Sequence, residues 1–254
     1  SAASDVYKRQ EYNRDANMLK GGLVYSNCIT TVSNSYKEEI QSEYYGEGLD
    51  GVIREKRGAL FGILNGIDYN EYNPETDNKI FSQYNAYSFI ENKSINKVEL
   101  QRELGLEENE GKFMIGVISR LTDQKGVDLI GHVLEEIVDD YTQLVVIGTG
   151  DEEYENMFRY YEWKLKGKVS GNIYFSNKRA HKIYAAADAM LVPSRFEPCG
   201  LTQLIALRYG TVPIVRETGG LRDTVEQYNI YSDSGTGFSF ENYNAHEMLN
   251  ICLY

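Results

Sequence analysis

The chain has 254 residues, of which 42% are hydrophobic and 25% are charged, an ordinary composition for a globular protein of one large or two modest domains. Its formal net charge of -12 repels phosphodiester backbones, so we expect no nucleic-acid partner. No stretch approaches the ~20 apolar residues that cross a bilayer, and the first residues lack the order of a signal peptide. We therefore expect no membrane association and a cytoplasmic location.

The cysteines and histidines do not predict a metal site. The cysteines are too few and too scattered for a disulfide framework and form no CxxC pair, which favours free thiols: Cys28, Cys199 and Cys252. The histidines fall on predicted helices with no carboxylate or cysteine at ligand spacing, and we interpret them as surface or boundary residues: His132, His181 and His246.

The first part of the chain predicts only short elements. Residues 1–10 match nothing that can be placed and are interpreted as a cloning or sequence-assembly scar. The pattern then predicts a helix over 18–25, a strand over 29–32, a helix over 36–40 and an apolar run over 62–64. These elements are too few to close a core, so residues 11–67 are predicted to be the tail of a preceding domain whose body is absent.

A connector between two domains is predicted over residues 68–92. This stretch is rich in Asn, Tyr, Asp and Glu and contains Pro74, a composition typical of extended chain, and the domain boundary is expected inside it. A surface helix over 95–104 is predicted to lead from the connector into the next domain.

From residue 93 to residue 254, short apolar runs alternate with helical patterns, which is typical of an α/β domain with a parallel sheet. The predicted strands cover 113–118, 143–147, 172–175, 189–192 and 212–215, and a helix with one apolar face covers 126–139. We predict a Rossmann-like, doubly wound sheet whose ligand crevice lies at the carboxyl ends of the strands. The last helix begins near residue 244 and stops at residue 254, so the domain is expected to be truncated.

The most informative segment is Arg-Phe-Glu-Pro-Cys-Gly-Leu-Thr-Gln at 195–203, directly after a predicted buried strand. Its acid, Glu197, is placed in the crevice just before a helix predicted over 200–209. A carboxylate there can accept hydrogen bonds from sugar hydroxyls, and the helix start favours a departing diphosphate. An isolated acid at a helix start usually makes only a dipole contact, but the nine-residue context favours the sugar-binding interpretation.

A second segment, Ser-Arg-Leu-Thr-Asp-Gln-Lys-Gly at 119–126, follows another predicted strand. Transfer from a nucleotide sugar expels a diphosphate, which requires fixed positive charge. Arg120 can bind phosphate oxygens with two parallel hydrogen bonds, and Lys125 can add a point charge. Alone, both would be interpreted as solvated surface residues; opposite Glu197 in one crevice, they gain a shared role. The residues by themselves indicate a nucleotide- or sugar-nucleotide-binding α/β domain.

Four motifs, in this order and spacing, give the chain a family resemblance. They are Asn-Gly-Ile-Asp at 65–68, the segments at 119–126 and 193–203, and Thr-Gly-Gly-Leu-Arg-Asp-Thr-Val at 218–225. Together they resemble the bacterial glycogen synthases and plant starch synthases, over residues 11 to 249. The resemblance implies a GT-B glycosyltransferase, with two Rossmann-like domains around a cleft. It also implies retaining transfer of glucose from ADP-glucose to an α-1,4-glucan acceptor, with no cofactor.

The resemblance also implies roles for individual residues. The diphosphate-binding pair falls on Arg120 and Lys125, the sugar-positioning acid on Glu197, and an asparagine that contacts the glucosyl unit on Asn65. The turn that holds sugar hydroxyls and phosphate falls on Cys199, Gly200, Leu201 and Thr202.

The base side of the predicted pocket is less well defined. The aromatic that lies against the adenine falls on Phe175, where many relatives carry Tyr, and Ser176 stands where His is common. A core aromatic at a strand end is nearly as good an interpretation of Phe175. The resemblance implies that Gly148 and Gly150 border the nucleotide pocket through close backbone approach. They resemble a dinucleotide fingerprint, but Glu153 replaces its third glycine.

Two alternatives stay open. Related retaining enzymes carry a second Glu where this chain has Ile205, which favours ADP-glucose, but another retaining hexosyltransferase using a UDP-sugar is the alternative enzyme. The Lys-x-Gly-Gly-Leu loop and catalytic histidine of the family's first domain are absent, and Lys-Gly-Gly-Leu at 20–23 only mimics that loop. The chain is therefore expected to need the missing N-terminal domain as a partner and to be inactive alone, serving as a nucleotide-sugar-binding module.

Overall fold

The computed structural model describes residues 11, 12 and 15–254, so the proposed scar at 1–10 lies outside the described residues. Its first elements are two short antiparallel strands, β1 (Glu11–Tyr12) and β2 (Asp15–Ala16). They are followed by α1 (Met18–Tyr25), β3 (Ile29–Thr31), α2 (Asn34–Glu39), α3 (Glu43–Gly46), α4 (Asp50–Glu55), a 3-10 turn (Arg57–Ala59) and β4 (Leu60–Gly62).

Polar caps start three of the four helices described in this N-terminal segment. The side chain of Ser33 accepts a hydrogen bond from the Tyr36 N–H at 3.0 Å, and Asn17 caps α1 in the same way. Strand β4 pairs in parallel with β3 and covers Leu60–Gly62, so it shares only its last residue with the apolar run at 62–64. The segment packs around a small apolar cluster of its own: Ile40, Leu49, Ile53 and Leu60.

The connector is more closely packed than its composition predicts. Tyr84 is buried, and its hydroxyl donates to the carbonyl oxygen of Tyr209 at 2.7 Å. Helix α5 (Phe89–Leu104) begins six residues before the predicted start at 95 and, as predicted, keeps one face at the surface. It buries one face, including Leu100, against α8 (Asn177–Ala186), which explains why polar residues such as Asn96 on that face are buried too.

Six parallel strands form the sheet of the main domain. They are β5 (Phe113–Ile118), β6 (Thr142–Ile147), β7 (Val169–Asn172), β8 (Ala189–Val192), β9 (Val212–Arg216) and β10 (Phe238–Phe240). The connecting helices, besides α8, are α6 (Val127–Ile137), α7 (Glu152–Lys164), α9 (Thr202–Arg208), α10 (Gly219–Thr224) and α11 (Ala245–Cys252). The predicted α/β class is confirmed.

Alternate residues of the central strands pack into two apolar clusters. In β6, Leu144 and Val146 belong to one cluster with α6 and α7, whereas Val145 and Ile147 belong to the other, which includes residues of α8 and α9. This alternation is the period of two that a strand imposes. Helices therefore cover both faces of the sheet, as the doubly wound prediction requires.

The prediction for the third strand was wrong in position. Strand β7 covers Val169–Asn172, whereas 172–175 was predicted. Its neighbour β6 ends at Ile147, which pairs with Asn172. The N–H of the next residue, Gly148, donates a hydrogen bond to the Asn172 carbonyl oxygen. The three residues after Asn172 consequently lie in the loop beyond the strand.

The strand order places a topological switch point beside β5. The order in the sheet is β10-β9-β8-β5-β6-β7. Along the chain, β5 is followed by β6 and β7, which extend the sheet on one side of β5. The next strand, β8, pairs with the other side of β5. The loops after β5 and β8 therefore lead to helices on opposite faces of the sheet. Doubly wound sheets bind ligands at such a switch point.

Candidate active site

A lysine and a glutamate meet across the switch point. Lys125 follows β5 at the end of a 3-10 turn (Asp123–Lys125), and Glu197 follows β8. The Lys125 Nζ lies 2.6 Å from Glu197 Oε2, and Ser194 Oγ donates to the same oxygen at 3.0 Å. Only 8% of Glu197 is exposed. The structure therefore brings together the cation and the acid that the sequence placed in one crevice.

Backbone contacts fix the two loops against each other. The Arg195 N–H donates to the Gln124 carbonyl at 2.9 Å. Gly126 has a φ of +72°, and a Cβ there would lie 2.1 Å from the Pro193 carbonyl oxygen. A side chain at 126 would push the loops apart, so this glycine is needed for Lys125 to reach Glu197.

Arg120 lies in the same loop as Lys125 but stays exposed to solvent. Its Nη2 donates to Gln124 Oε1 at 3.2 Å. The guanidinium is thus held at the carboxyl edge of the sheet by a neutral side chain, with most of its donors available for a ligand.

The turn at 199–203 is fixed from inside the domain. The fully buried Gln203 donates through Nε2 to the carbonyl oxygens of Cys199 and Gly200, both at 2.9 Å. Cys199 is buried, Leu201 is 46% exposed, and α9 begins at Thr202. The predicted sugar- and phosphate-binding turn therefore lies just after Glu197, with its backbone held rigidly.

The N-terminal segment supports the Glu197 turn through residues that the sequence did not identify. Glu39 Oε1 accepts hydrogen bonds from Thr218 Oγ1 at 3.0 Å and from the Gly219 N–H at 2.8 Å. The Gly220 N–H in turn donates to the Glu197 carbonyl at 3.0 Å. The motif at 218–225 was noted only as part of the resemblance, and its glycines are the signal that a close backbone contact occurs there.

The second contact of this kind joins Ser35 to Asp223. The Ser35 N–H and Oγ donate to the two carboxylate oxygens of Asp223 at 2.9 Å and 2.5 Å. Together with Glu39, this pair fastens α2 to α10.

Gly148 and Gly150 allow close backbone contact with the loop that carries Arg120. A Cβ at Gly148 would lie 1.9 Å from the Ser119 carbonyl oxygen, and one at Gly150 would lie 2.1 Å from that of Leu121. The loop after β6 therefore packs directly on the loop after β5. The close backbone approach predicted for these glycines is, in the structure, an approach to the chain itself.

Phe175 and Asn65 lie apart from the Lys125–Glu197 contact. Phe175 is 91% exposed in the loop after β7, so its interpretation as a core aromatic was wrong. The next residue, Ser176, caps α8 by accepting from the Arg179 N–H at 3.2 Å. Asn65 is exposed in the loop after β4, and no hydrogen bond in the described part of the chain joins Asn65 or Phe175 to the crevice.

The prediction for His181 was wrong. It is fully buried, with Nδ1 2.6 Å from Asp77 Oδ2 and its ring stacked on Tyr72 at 5.0 Å. The helix that carries it, α8, is covered by the connector, which the sequence pattern could not reveal. Among the residues that the structure describes, no group of three or more His, Cys, Asp or Glu could hold a metal ion, and no helix is long and apolar enough to cross a membrane.

Two family models match the chain. A model described as glycosyl transferases group 1 matches residues 102–251, more than half of the chain. A model described as the starch synthase catalytic domain matches residues 2–55.

Two curated relatives are similar over nearly all of the chain. The glycogen synthase of Lachnospira eligens is 62% identical over 240 residues, which cover 94% of this chain and 50% of the relative. The glycogen synthase of Lachnoclostridium phytofermentans is 60% identical over 253 residues, which cover 98% of this chain and 53% of the relative. The chain thus spans about half the length of the curated relatives it matches.

Among solved structures, the catalytic domain of starch synthase IV from Arabidopsis thaliana, bound to ADP and acarbose, is similar with a TM-score of 0.86 and 35% identity. The match covers 96% of this chain and 51% of that one. HepE from Anabaena in complex with UDP-glucose has a TM-score of 0.64 at 18% identity, covering 92% of this chain and 55% of that one. At that identity the likeness concerns the fold alone.

Proposed function

Since the chain belongs to the glycogen and starch synthases among the group 1 glycosyltransferases, we propose that it forms the donor-binding part of an enzyme that transfers glucose, with retention, from ADP-glucose to an α-1,4-glucan. The observation that carries the proposal is the contact between Lys125 and Glu197 at the switch point of the sheet.

The Lys125–Glu197 contact supports binding of a pyrophosphate-linked sugar at both ends. The ammonium of Lys125 is paired with the carboxylate of Glu197. A diphosphate would take over this cation, together with the exposed guanidinium of Arg120, through charge-assisted hydrogen bonds. Glu197 would then be free to accept hydrogen bonds from the sugar and to stabilise positive charge at the anomeric carbon. The two cations would stabilise the leaving diphosphate.

One observation favours ADP as the nucleotide, and a second shows where its base can stack. The starch synthase IV structure, 35% identical to this chain, is bound to ADP and acarbose. Phe175 offers an exposed ring in the loop after β7, at the same carboxyl edge of the sheet as the crevice, where a purine can stack. The proposed ligands are thus ADP-glucose and a glucan acceptor, and no cofactor is part of the proposal.

Calorimetric titration of the chain with ADP, ADP-glucose, UDP and UDP-glucose tests the proposal. We expect the adenine nucleotides to bind more tightly than the uridine nucleotides. Arg120→Ala and Lys125→Ala should each weaken ADP binding by about 1–3 kcal/mol, the scale of a lost charge-assisted hydrogen bond.

Lys166→Ala is the matched control, because Lys166 is exposed and precedes β7 at the amino edge of the sheet. Its ADP affinity should equal that of the wild type. Unchanged ADP affinity in both site variants would remove Arg120 and Lys125 from the site, and tighter binding of UDP would reassign the nucleotide.

A further inference from the structure

A cavity lies beside the Glu197 turn, and its lining does not include Arg120, Lys125 or Glu197. It has a volume of about 230 Å³ and lies between the N-terminal segment and the main domain, lined by Tyr36, Tyr44, Tyr45, Glu47, Arg195 and Phe196. We propose that this aromatic cavity is a subsite for one hexose unit of the α-glucan acceptor. The inference rests on the proposed function and adds a second carbohydrate-binding position to it.

The lining is dominated by aromatic rings. Three tyrosines come from α2 and α3, and Phe196 comes from the turn after β8. Tyr44 is 65% exposed, and its ring meets that of Tyr45 edge to face, with centroids 4.8 Å apart. Tyrosine rings offer an apolar face and a polar hydroxyl, which match the C–H face and the hydroxyls of a sugar ring.

Charged groups of both signs complete the lining and provide hydrogen-bond donors and acceptors that a polyhydroxyl ligand can use. The guanidinium of Arg195 lies over the Tyr243 ring, 4.6 Å from its centroid, so its position is fixed. The Tyr45 hydroxyl is held by Arg216 at 3.4 Å. Arg195 supplies donors and Glu47 supplies acceptors for hydroxyl groups.

The position and the size of the cavity suit a single sugar unit of a polymer. Phe196 directly precedes Glu197, so a sugar in the cavity would lie beside the donor crevice. The volume is below the ~300–1,000 Å³ of pockets that enclose a drug-sized ligand, so the cavity fits a single ring with the rest of the glucan outside.

Isothermal titration of the chain with maltotriose, and with cellotriose as the β-linked comparison, tests the subsite. We expect maltotriose to bind more tightly than cellotriose. Tyr44→Ala should weaken maltotriose binding about three- to tenfold, the range expected for a lost aromatic contact. Tyr44→Phe should retain most of the affinity because it keeps the ring.

Tyr141→Ala is the control, because Tyr141 is 76% exposed and lies just before β6 at the amino edge of the sheet. It should bind maltotriose like the wild type, and ADP affinity should be the same in all variants, since Tyr44 is outside the diphosphate site. No maltotriose binding, or equal binding by wild type and Tyr44→Ala, would overturn the subsite. Failure of ADP to bind would instead overturn the proposed function, so the two failures are distinguishable.

Discussion

Lys93 is a buried lysine whose amine is surrounded by oxygen atoms of the main domain. Its Nζ donates to the Ala185 carbonyl at 3.1 Å and to Thr211 Oγ1 at 2.8 Å. Burial lowers the pKa of Lys93 to about 7, against the opposing effect of the Asp188 carboxylate. The protonated form is therefore disfavoured in the folded chain relative to the unfolded one.

Lys93 should make the free energy of unfolding rise with pH. In the unfolded chain a lysine keeps its ordinary pKa of 10.5, so between pH 7 and that value the unfolded state binds more protons. The contribution of Lys93 to the free energy of unfolding is complete above its pKa in the unfolded chain. It is lost as the pH falls to the pKa of Lys93 in the folded chain. From pH 7 to pH 9 the rise should be on the order of 2 kcal/mol.

Urea unfolding of the wild type and Lys93→Met at these two pH values measures the effect. The difference in unfolding free energy between the two proteins should grow in favour of the wild type as the pH rises. Lys166→Met, which changes an exposed lysine, should show no such trend. A wild-type advantage that is constant with pH would mean that Lys93 does not titrate in this range.

The positions of functional residues that directly follow strands could be predicted from the sequence. Contacts between residues that are far apart along the chain could not. Lys125 and Glu197 each stand in a motif just past an apolar run, so the parallel topology alone places them at one edge. Glu39 carries no comparable signal, because its partners Thr218 and Gly219 are about 180 residues away along the chain. The same limit applies to His181, whose partner is Asp77.

At the scale of elements, the contact between α2 and α10 supports the Glu197 turn. Glu39 accepts from Thr218 and Gly219, and the next amide, Gly220, donates to the Glu197 carbonyl. The N-terminal segment therefore positions a residue of the main domain's crevice, although it contributes no atom to the Lys125–Glu197 pair.

Glu39→Ala should lower the free energy of unfolding by about 1–2 kcal/mol, because two hydrogen bonds to one partly buried carboxylate are lost. Glu38→Ala removes the neighbouring acid, whose contacts are an exposed ion pair with Lys37 at 3.0 Å and a hydrogen bond from Gln41. Such exposed contacts contribute about 0–1 kcal/mol. Thermal or urea unfolding compares the two variants. Equal destabilisation would show that the contact between α2 and α10 is energetically neutral.

The sheet was predictable as a set of elements, with one strand misplaced. The apolar runs at 113–118 and 189–192 coincide with β5 and β8 because central strands are buried on both faces. Strand β7 is at the sheet edge and reads Val-Ser-Gly-Asn, which lacks an apolar run. The more strand-like sequence at 173–175 lies beyond the point where β6 ends and pairing stops.

At the scale of the molecule, the connector is fastened to the main domain by a buried cluster around Asp77. Asp77 Oδ2 accepts from the Tyr209 hydroxyl at 2.6 Å and lies 2.6 Å from His181 Nδ1. Burial by itself would raise the pKa of Asp77, but these hydrogen bonds and one from the Lys79 N–H lower it overall. Composition predicted an extended connector, but it could not reveal that distant residues bury this part of it.

The Asp77 cluster should stabilise the fold most at neutral pH. A carboxyl with a lowered folded pKa contributes stability above its ordinary value of 3.8 and loses it as the pH falls through the folded value. Asp77→Asn should therefore be destabilised at pH 7, and its deficit should shrink below about pH 4.

Urea unfolding across this pH range measures the deficit. Glu75→Gln, at an exposed acid of the same connector, should resemble the wild type throughout. A deficit that persists unchanged into acid would show that the charge of Asp77 is not what holds the connector.

The strand order has a consequence for synthesis on the ribosome. Strand β6 follows β5 after one helix, but β8, which covers the other edge of β5, begins only at Ala189. Until that residue has emerged, the nascent chain presents an open strand edge, the kind of surface that invites pairing with other chains. Since Glu197 is made later still, the ligand crevice is among the last parts of the sheet to be assembled. A stalled or shortened translation product would therefore tend to aggregate and would lack the site.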